Sequence, residues 1–472
     1  MPEDSVIALI LAAGAGTRMK SAKPKVIHEV LGTPLIRLVV QSVIAAGCQR
    51  VLTIVGHEAQ TVIEALPIGV QSVFQHDRTG TAKAVLTARE ALKGEDGYLL
   101  VAYGDMPLLR PETLRLLVDV CKDKAMAVLT ASVDNPSGYG RIERDALGAI
   151  VGIIEDKDAT SEQLGIHEIN TGIYCFALDG LWERLQRIGN DNAQSEYYLT
   201  DMVEVCRAEG AEVASLQLND PTEAHGVNSR VQLAEVAALL QQRVNARWMA
   251  EGVTMLAPDL VWVSPDSELG SDVVIHPMTF VTQKSVVGDG VQLGPSTRLV
   301  NSTVGAGSVI EESKVVDSII GKNCDVGPRS YLRPGTVLAD HAKVGASVEI
   351  KKSVIGAGSK VPHLSYLGDT TVGPDVNVGA GTITCNYDGE HKYPTEIGAG
   401  AFIGSDTMLV APVRVGAGAT IGAGSVITDD VPDRALGLGR ARQVNKEGWV
   451  AAKGEDGRTR SDDEYHNEQK GA

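Results

Sequence analysis

The stretch "LILAAGAGTRMKSAKPK" (Leu9 to Lys25) runs from apolar residues through a small-residue loop into a cluster of cations. Glycines let backbone N–H groups approach an anion, and Arg18, Lys20, Lys23 and Lys25 follow, so the loop has the chemistry of a phosphate site. It is neither of two familiar glycine loops. Met19 stands where a dinucleotide loop needs its third glycine, and also where a G-x-x-x-x-G-K-[ST] loop needs its last, although Lys20 and Ser21 follow. Farther along, Arg333 and Lys351 lie 18 residues apart, each directly after an apolar residue (Leu332, Ile350). His363 lies two residues past Val361, and histidine is a residue type suited to taking a proton from an ammonium near neutral pH. Ser405 and Ala423 are again 18 apart, each two past an isoleucine.

These residues need two different frames. In the first half, runs rich in Val, Leu and Ile at Val6–Leu11, Val51–Val55, Val70–Gln75, Tyr98–Tyr103 and Ala127–Thr130 alternate with helix-length segments. That pattern predicts a mostly parallel sheet covered on both faces. Ligands then bind beyond the carboxyl ends of the strands, where the opening loop and "YGDMP" (Tyr103 to Pro107) fall. From Ser229 to Glu251 one long helix is predicted, with Leu233, Val236, Ala237, Leu240, Val244 and Trp248 on one face. Ser229 with Gln232 forms a capping box, and Gly252 is the stop.

Beyond the helix a six-residue period appears. Ile397, Ile403, Leu409, Val415, Ile421 and Ile427 are six apart, as are Val326, Leu332, Leu338, Val344 and Ile350; shorter runs are Val287, Leu293, Leu299 and Val372, Val378, Thr384. This is a hexapeptide β-helix signature. Three hexapeptides make a triangular coil of about 18 residues, with the periodic residue pointing inward. Residues 18 apart then stack at about 5 Å. Arg333 over Lys351 would ask for an anion between them, and Ser405 over Ala423 suits a long ligand along the coil axis. The step from Thr384 to Ile397 is 13 rather than 12, so a loop at "NYDGEHKYPT" leaves the coil. The polar stretch from residue 444 to 472 has few apolar residues and is expected to be largely disordered.

The chain has 472 residues, 43% hydrophobic and 22% charged, with formal net charge −17. Two or three domains with large cores fit, and nonspecific nucleic-acid binding does not. The six cysteines are scattered with no CxxC pair, which suits reduced cytosolic thiols. With no N-terminal signal pattern and no run of 18 apolar residues, the expected location is cytoplasmic, with no membrane partner.

In chain order, "LAAGAGTRM", "KPK", "YGDMPL", "GYGRI", "INTGIY" and "EYYLTD" precede "LRPG", "HLSYLGD", "GAGTITCNYDG" and "KEGW". Up to about Trp449 the chain resembles the bifunctional bacterial N-acetylglucosamine-1-phosphate uridyltransferase / glucosamine-1-phosphate N-acetyltransferase family. The resemblance implies an α/β plus all-β chain: a Rossmann-like nucleotidyltransferase domain (1–228), a linker helix (229–251), a left-handed parallel β-helix acetyltransferase domain (252–443) and a tail (444–472). It implies that the first domain joins UTP to N-acetylglucosamine 1-phosphate. Leu11, Ala12, Ala13 and Gly14 would hold the nucleotide, Arg18 and Lys25 its phosphates, and Gln75, Gly80 and Thr81 the uracil. Tyr103, Gly104 and Asp105 would also belong to the UTP and UDP-N-acetylglucosamine site; Gly140, Glu155 and Asn170 would hold the sugar, and Asp105 and Asn228 would hold Mg²⁺. Ala15 stands where the family often has lysine or another polar residue.

For the second domain, the resemblance implies acetyl transfer from acetyl-CoA to glucosamine 1-phosphate, with His363 as general base and no covalent acetyl-enzyme at Cys385. Arg333, Lys351, Tyr366, Asn377 and Lys392 would bind the sugar phosphate. Ala380, Asn386, Tyr387, Ser405, Ala423 and Arg440 would line the acetyl-CoA site. Homotrimers with acetyl sites between neighbouring chains are implied. On residue type alone, Asp105 also fits a turn, Asn228 a helix start, and the cations from Arg18 to Lys25 a solvated face. Alternatives at this stage are a single-activity sugar nucleotidyltransferase whose β-helix serves as a trimer scaffold, and a non-catalytic sugar-nucleotide-binding assembly protein.

Overall fold

The computed structural model describes residues 5–14, 16–77 and 79–445. Ala15, "KEGW" and all but the first two residues of the expected tail lie outside the described residues. The chain divides into two compact units, Met1–Asp340 and His341–Ala472.

The first unit opens with a twisted sheet of nine strands: β1 (Val6–Leu11), β2 (Arg50–Val55), β3 (Gln71–Phe74), β4 (Tyr98–Tyr103), β5 (Met126–Ser132), β6 (Arg141–Arg144), β7 (Ile150–Ile154), β8 (Glu168–Ala177) and β9 (Val213–Gln217). The order is β9-β5-β8-β4-β1-β2-β3, with β6 and β7 attached beside β8. β1 pairs in parallel with β2 and β4, in register Leu11↔Ile54 and Leu11↔Tyr103. Its side chains alternate between two cores. Ile7, Leu9 and Leu11 pack on one face and Ala8, Ile10 and Ala12 on the other, as a strand buried on both sides requires.

The five strands expected from the sequence are all present, within one or two residues of their predicted ends. The structure adds four more. The longest, β8, is antiparallel to both β4 and β5 and sits between them. Its pairing with β5 shifts register between Asn170 and Tyr174. A bulge of this kind re-aims side chains, here beside the sheet's ligand edge.

The long helix spans Arg230–Ala250 with Ser229 as its cap: Gln232 N–H donates to Ser229 Oγ at 3.2 Å. The Gln232 side chain reaches one residue farther back than a standard box, accepting from Asn228 N–H at 2.9 Å. Val236, Leu240, Val244 and Trp248 are buried as predicted, while Leu233 and Ala237 are only half-buried. Gln241 and Asn245 are buried too. Their amides donate to the carbonyls of Pro258, Asp259 and Val261, where the first coil begins. A purely apolar face would have left the buried Val261 carbonyl without these partners.

From Thr254 to Leu338 the first unit winds into short strands forming three parallel ladders. The periodic residues Val287, Leu293, Leu299, Val326, Leu332 and Leu338 are all buried. The coil length is not constant. Pairings Phe280↔Arg298, Arg298↔Lys314 and Lys314↔Tyr331 give steps of 18, 16 and 17 residues. Corners of this stretch turn through residues in left-handed conformation, such as Asn301 (φ 46°) and Asp317 (φ 43°). Shorter corners therefore keep the periodic residue inside. Buried serines line the same coils: Ser302 N–H donates to Ser285 Oγ and Ser318 N–H to Ser302 Oγ.

The second unit continues the pattern from Lys343 to Gly437. Val344, Ile350, Val372, Val378, Ile397, Ile403, Leu409, Val415, Ile421 and Ile427 are all buried. Thr384 also faces inward, and its hydroxyl accepts the Gly368 N–H at 2.8 Å. Thr384 and Ile397 sit on consecutive strands, and pairings Thr384↔Leu409 and Val372↔Ile397 step by 25 residues. The loop is therefore one hexapeptide step lengthened by seven residues, not two steps with one residue extra. It closes as a small hairpin in which Tyr387 bridges Lys392, and Asp388 accepts the N–H groups of Glu390 and His391.

Candidate active sites

A cavity of about 310 Å³ opens at the carboxyl edge of the sheet, beyond β1, β3 and β4. Of the residues expected to bind nucleotide, Leu11, Ala12, Ala13, Gly14, Lys25, Gln75, Gly80, Thr81, Tyr103 and Asp105 line it. Two glycines are required by what surrounds them. Gly16 has φ 59°, and a Cβ there would lie 2.7 Å from Lys25 Cβ, so the turn can close against the lysine only without a side chain. Gly80 has φ 132°, and a Cβ would meet the Tyr197 carbonyl oxygen at 2.4 Å. Tyr197 N–H donates to Thr79 O, Ala82 N–H donates to Tyr197 O, and Leu199 N–H donates to Thr81 Oγ1. "EYYLTD" thus forms a wall of the cavity, to which Glu196 contributes. A glycine at position 80 is the one sequence signal that backbone packs there.

At the floor, Lys25 Nζ donates to Asp105 Oδ2 in a very short contact and to Asn228 Oδ1 at 2.8 Å. Asp105 follows the end of β4, and its carbonyl accepts Val227 N–H at 2.9 Å, which brings Asn228 alongside. One carboxylate oxygen and one amide oxygen thus converge on a single cation. Among the described residues no group of three or more His, Cys, Asp or Glu is placed to hold a metal. Two protein oxygens, completed by phosphates, suit a hard divalent ion such as Mg²⁺.

Gly140 and Asn170 meet backbone to backbone at 2.8 Å. Asn170 Nδ2 donates to the Tyr174 hydroxyl, and Oδ1 accepts the Gly172 N–H. Glu155 accepts from Thr200 Oγ1 at 3.3 Å, and its carboxyl is pushed up by burial. Burial also pushes the Tyr103 phenol up, and the Glu155 and Asp105 charges add to it. Asp201 is raised to about 6 by burial and then by Glu204, Glu155 and Asp158. Arg18 is exposed on the one-turn helix Thr17–Met19 and does not line the cavity. Gly104 sits between Tyr103 and Asp105, its N–H donating to Leu11 O at 3.0 Å.

In the second unit, His363 ends the strand Lys360–His363 and is exposed, as its offset from the buried Val361 predicts. The Ser365 hydroxyl bonds to the His363 carbonyl rather than to the ring. Ala380, Ser405 and Ala423 do stack. Asp406 N–H donates to Ala380 O and Gly424 N–H to Ser405 O, on corners related by Val378↔Ile403 and Ile403↔Ile421. Asn386 is buried, its amide donating to Asp369 Oδ2 at 2.6 Å. A Cβ at Gly368 would meet the Tyr366 hydroxyl at 2.5 Å and Asn386 Nδ2 at 2.7 Å, so Tyr366 and Asn386 converge on that glycine. Asn377 pairs with Lys360 on the His363 ladder. Lys392 and Tyr387 are exposed on the lengthened loop, Arg440 is exposed past the last strand, and Cys385 is a free thiol. Arg333 belongs to the first unit and Lys351 to the second.

Residues 8–255 match the family model described as a MobA-like NTP transferase domain. Residues 258–355 match the GMPPB C-terminal domain, and 394–429 the bacterial transferase hexapeptide (six repeats). The Bifunctional protein GlmU of Heliobacterium modesticaldum is 49% identical over 448 residues, covering 94% of this chain and 98% of that protein. That of Pelotomaculum thermopropionicum is 50% identical over 448 residues, with the same coverage. That of Carboxydothermus hydrogenoformans is 47% identical over 444 residues, 94% of this chain and 99% of that protein. The chain belongs to the bifunctional GlmU family. It is a bifunctional transferase, a uridyltransferase followed by a hexapeptide-repeat acetyltransferase on a left-handed β-helix. The family sets aside both the scaffold-only and the non-catalytic alternatives. Among the described residues no helix is long and apolar enough to cross a membrane.

Proposed function

We propose that the β-helix acetylates glucosamine 1-phosphate with acetyl-CoA. The N-terminal cavity then transfers uridylyl from UTP to N-acetylglucosamine 1-phosphate and releases pyrophosphate. The convergence of Asp105 and Asn228 on Lys25, which with Asp105 lines a cavity bordered by the opening loop, carries this reading. In the uridyl step a sugar-phosphate oxygen attacks the α-phosphorus in line with the departing pyrophosphate. The protein's part is positioning and charge neutralisation. Backbone from Leu11 to Gly14 holds the nucleotide; Lys25 and Arg18 meet phosphate oxygens; Gln75, Gly80 and Thr81 hold the uracil. Gly140, Glu155 and Asn170 hold the sugar. Asp105 Oδ2 and Asn228 Oδ1 would hold Mg²⁺, which when bound neutralises triphosphate charge.

In the acetyl step, His363 accepts a proton from the glucosamine ammonium. The amine attacks the thioester carbonyl, and CoA leaves as the thiol. Exposure of His363 supports a role toward a ligand rather than the core. Arg333 and Lys351, with Tyr366, Asn377 and Lys392, bind the sugar phosphate. The Ala380, Ser405 and Ala423 ladder, with Asn386, Tyr387 and Arg440, takes acetyl-CoA along the coil axis. The working form is a cytoplasmic homotrimer whose acetyl sites lie between neighbouring chains, with domain limits at 228, 251 and 443. Rates with a panel of sugar phosphates test the assignment. N-acetylglucosamine 1-phosphate with UTP is expected to be the preferred pair, and glucose 1-phosphate used equally well would contradict the sugar site.

A further inference from the structure

The ammonium of Lys25 touches the very oxygens that the metal needs. It donates both to Asp105 Oδ2 and to Asn228 Oδ1, with Lys25 and Asp105 side chains 16% and 12% exposed. We infer that in the nucleotide-free enzyme Lys25 occupies the cation position as an internal counter-ion, competing with divalent metal until a triphosphate draws it away. The inference rests on the reading of Asp105 and Asn228 as metal-holding residues.

Three features of the site support it. First, two hard oxygen donors facing one cation would repel each other if that cation left without a replacement. A divalent ion can therefore bind the free enzyme only by displacing a paired charge from a mostly buried contact, which costs affinity. Second, the lysine backbone is fixed. Gly16 packs so close that a Cβ on it would lie 2.7 Å from Lys25 Cβ, and His28 N–H donates to Lys25 O at 3.2 Å. Exchange must therefore come from rotation of the flexible side chain, whose ammonium is a compact point charge on a four-carbon stem. Third, the loop Leu11 to Gly14 lines the same cavity as Lys25, so phosphates resting there lie within the lysine's swing. Phosphate oxygens then accept the ammonium, Asp105 and Asn228 are released, and the metal enters with the nucleotide. One residue serves as placeholder in the empty site and as phosphate ligand in the filled one.

The consequence runs against intuition: removing a phosphate-binding lysine should improve metal binding to the empty enzyme. Mn²⁺ binding, followed by electron paramagnetic resonance of the free ion, reads this without turnover. The full chain, Lys25→Met, Lys25→Gln and Asp105→Asn would be titrated with and without UTP, and thermal melting would confirm that each is folded. The expected result is weak Mn²⁺ binding by the parent without nucleotide, at least tenfold tighter binding by Lys25→Met and Lys25→Gln, and loss of that gain when Asp105→Asn is added to Lys25→Met. Both lysine variants binding Mn²⁺ no better than the parent would overturn the placeholder role. If Asp105→Asn also weakens Mn²⁺ binding in the presence of UTP, the metal site itself stands and only the competition fails. If Asp105→Asn leaves Mn²⁺ binding with UTP unchanged, the metal site is misplaced and the inference falls with it.

Discussion

The nucleotide cavity and the acetyl face solve the placement of polar groups in opposite ways. In the cavity, Lys25 and Gln75 are at least half-buried and already paired with the protein, Lys25 with Asp105 and Asn228 and Gln75 with the Asp77 carbonyl. On the β-helix, His363, Ser405, Ala423 and Tyr387 stand exposed on a lattice set by corner residues and ladder spacing, while Asn386 is buried and paired with Asp369. An irregular α/β edge can enclose a small ligand by itself. A repeat presents a ridge along its axis, which suits a long ligand and needs another surface to close over it. The first site is therefore expected to be complete within a chain, and the other to depend on its neighbours.

The most severe way to test that contrast is to remove one group from each region. Asp105→Ala should lower pyrophosphate release at least about a hundredfold and leave thiol release from acetyl-CoA unchanged. His363→Ala should lower thiol release about a hundredfold or more and leave pyrophosphate formation from N-acetylglucosamine 1-phosphate unchanged. Dilution sharpens the point. As assemblies dissociate, acetyl transfer per chain should fall severalfold while uridyl transfer holds; parallel loss of both would break the comparison.

Gly80→Ala should act on the cavity alone. It places a methyl against the Tyr197 backbone at φ 132°, so the Thr79–Ala82 turn and the "EYYLTD" wall must part. A cost of about 3 kcal/mol is expected, with a raised KM for UTP and an unchanged KM for acetyl-CoA. Asn245→Ala removes donors to the Pro258 and Val261 carbonyls and should cost about 1–2 kcal/mol, read as a lowered melting temperature without loss of either chemistry.

The smallest effect is one of pH. Asp201 is raised from 3.8 to about 6, chiefly by burial. Between those values the folded state holds the proton that the unfolded chain releases, so this group's contribution to stability falls as pH rises through the window. Asp201→Asn, which mimics the protonated form, should therefore melt higher than the parent above pH 6 and converge with it below pH 4.

How much of this was legible depended on whether a signal was local. The six-residue period marks the inward positions because each strand turns the same side chain into the coil; every periodic residue singled out is buried. Coil length was not legible, since it is set by corners such as Asn301 and Asp317 that take left-handed conformations without glycine. For the same reason the seven residues added around Asn386 read as one. In the sheet, the strand-ending loops were legible from their composition. The antiparallel β8 was not, because its apolar run carries no mark of direction. The wall at Tyr197 depends on a contact across 117 positions of chain with Gly80, and Gln241 and Asn245 read as breaks in an apolar face although they pair buried carbonyls.

The central claim is that two chemistries run independently on one chain. It is tested by supplying glucosamine 1-phosphate, acetyl-CoA, UTP and Mg²⁺ together and following free thiol and pyrophosphate in one vessel. Asp105→Ala is predicted to release thiol without pyrophosphate. His363→Ala is predicted to release little of either until N-acetylglucosamine 1-phosphate is added, which restores pyrophosphate alone. Loss of both products in either variant, unrelieved by the added intermediate, would contradict the account.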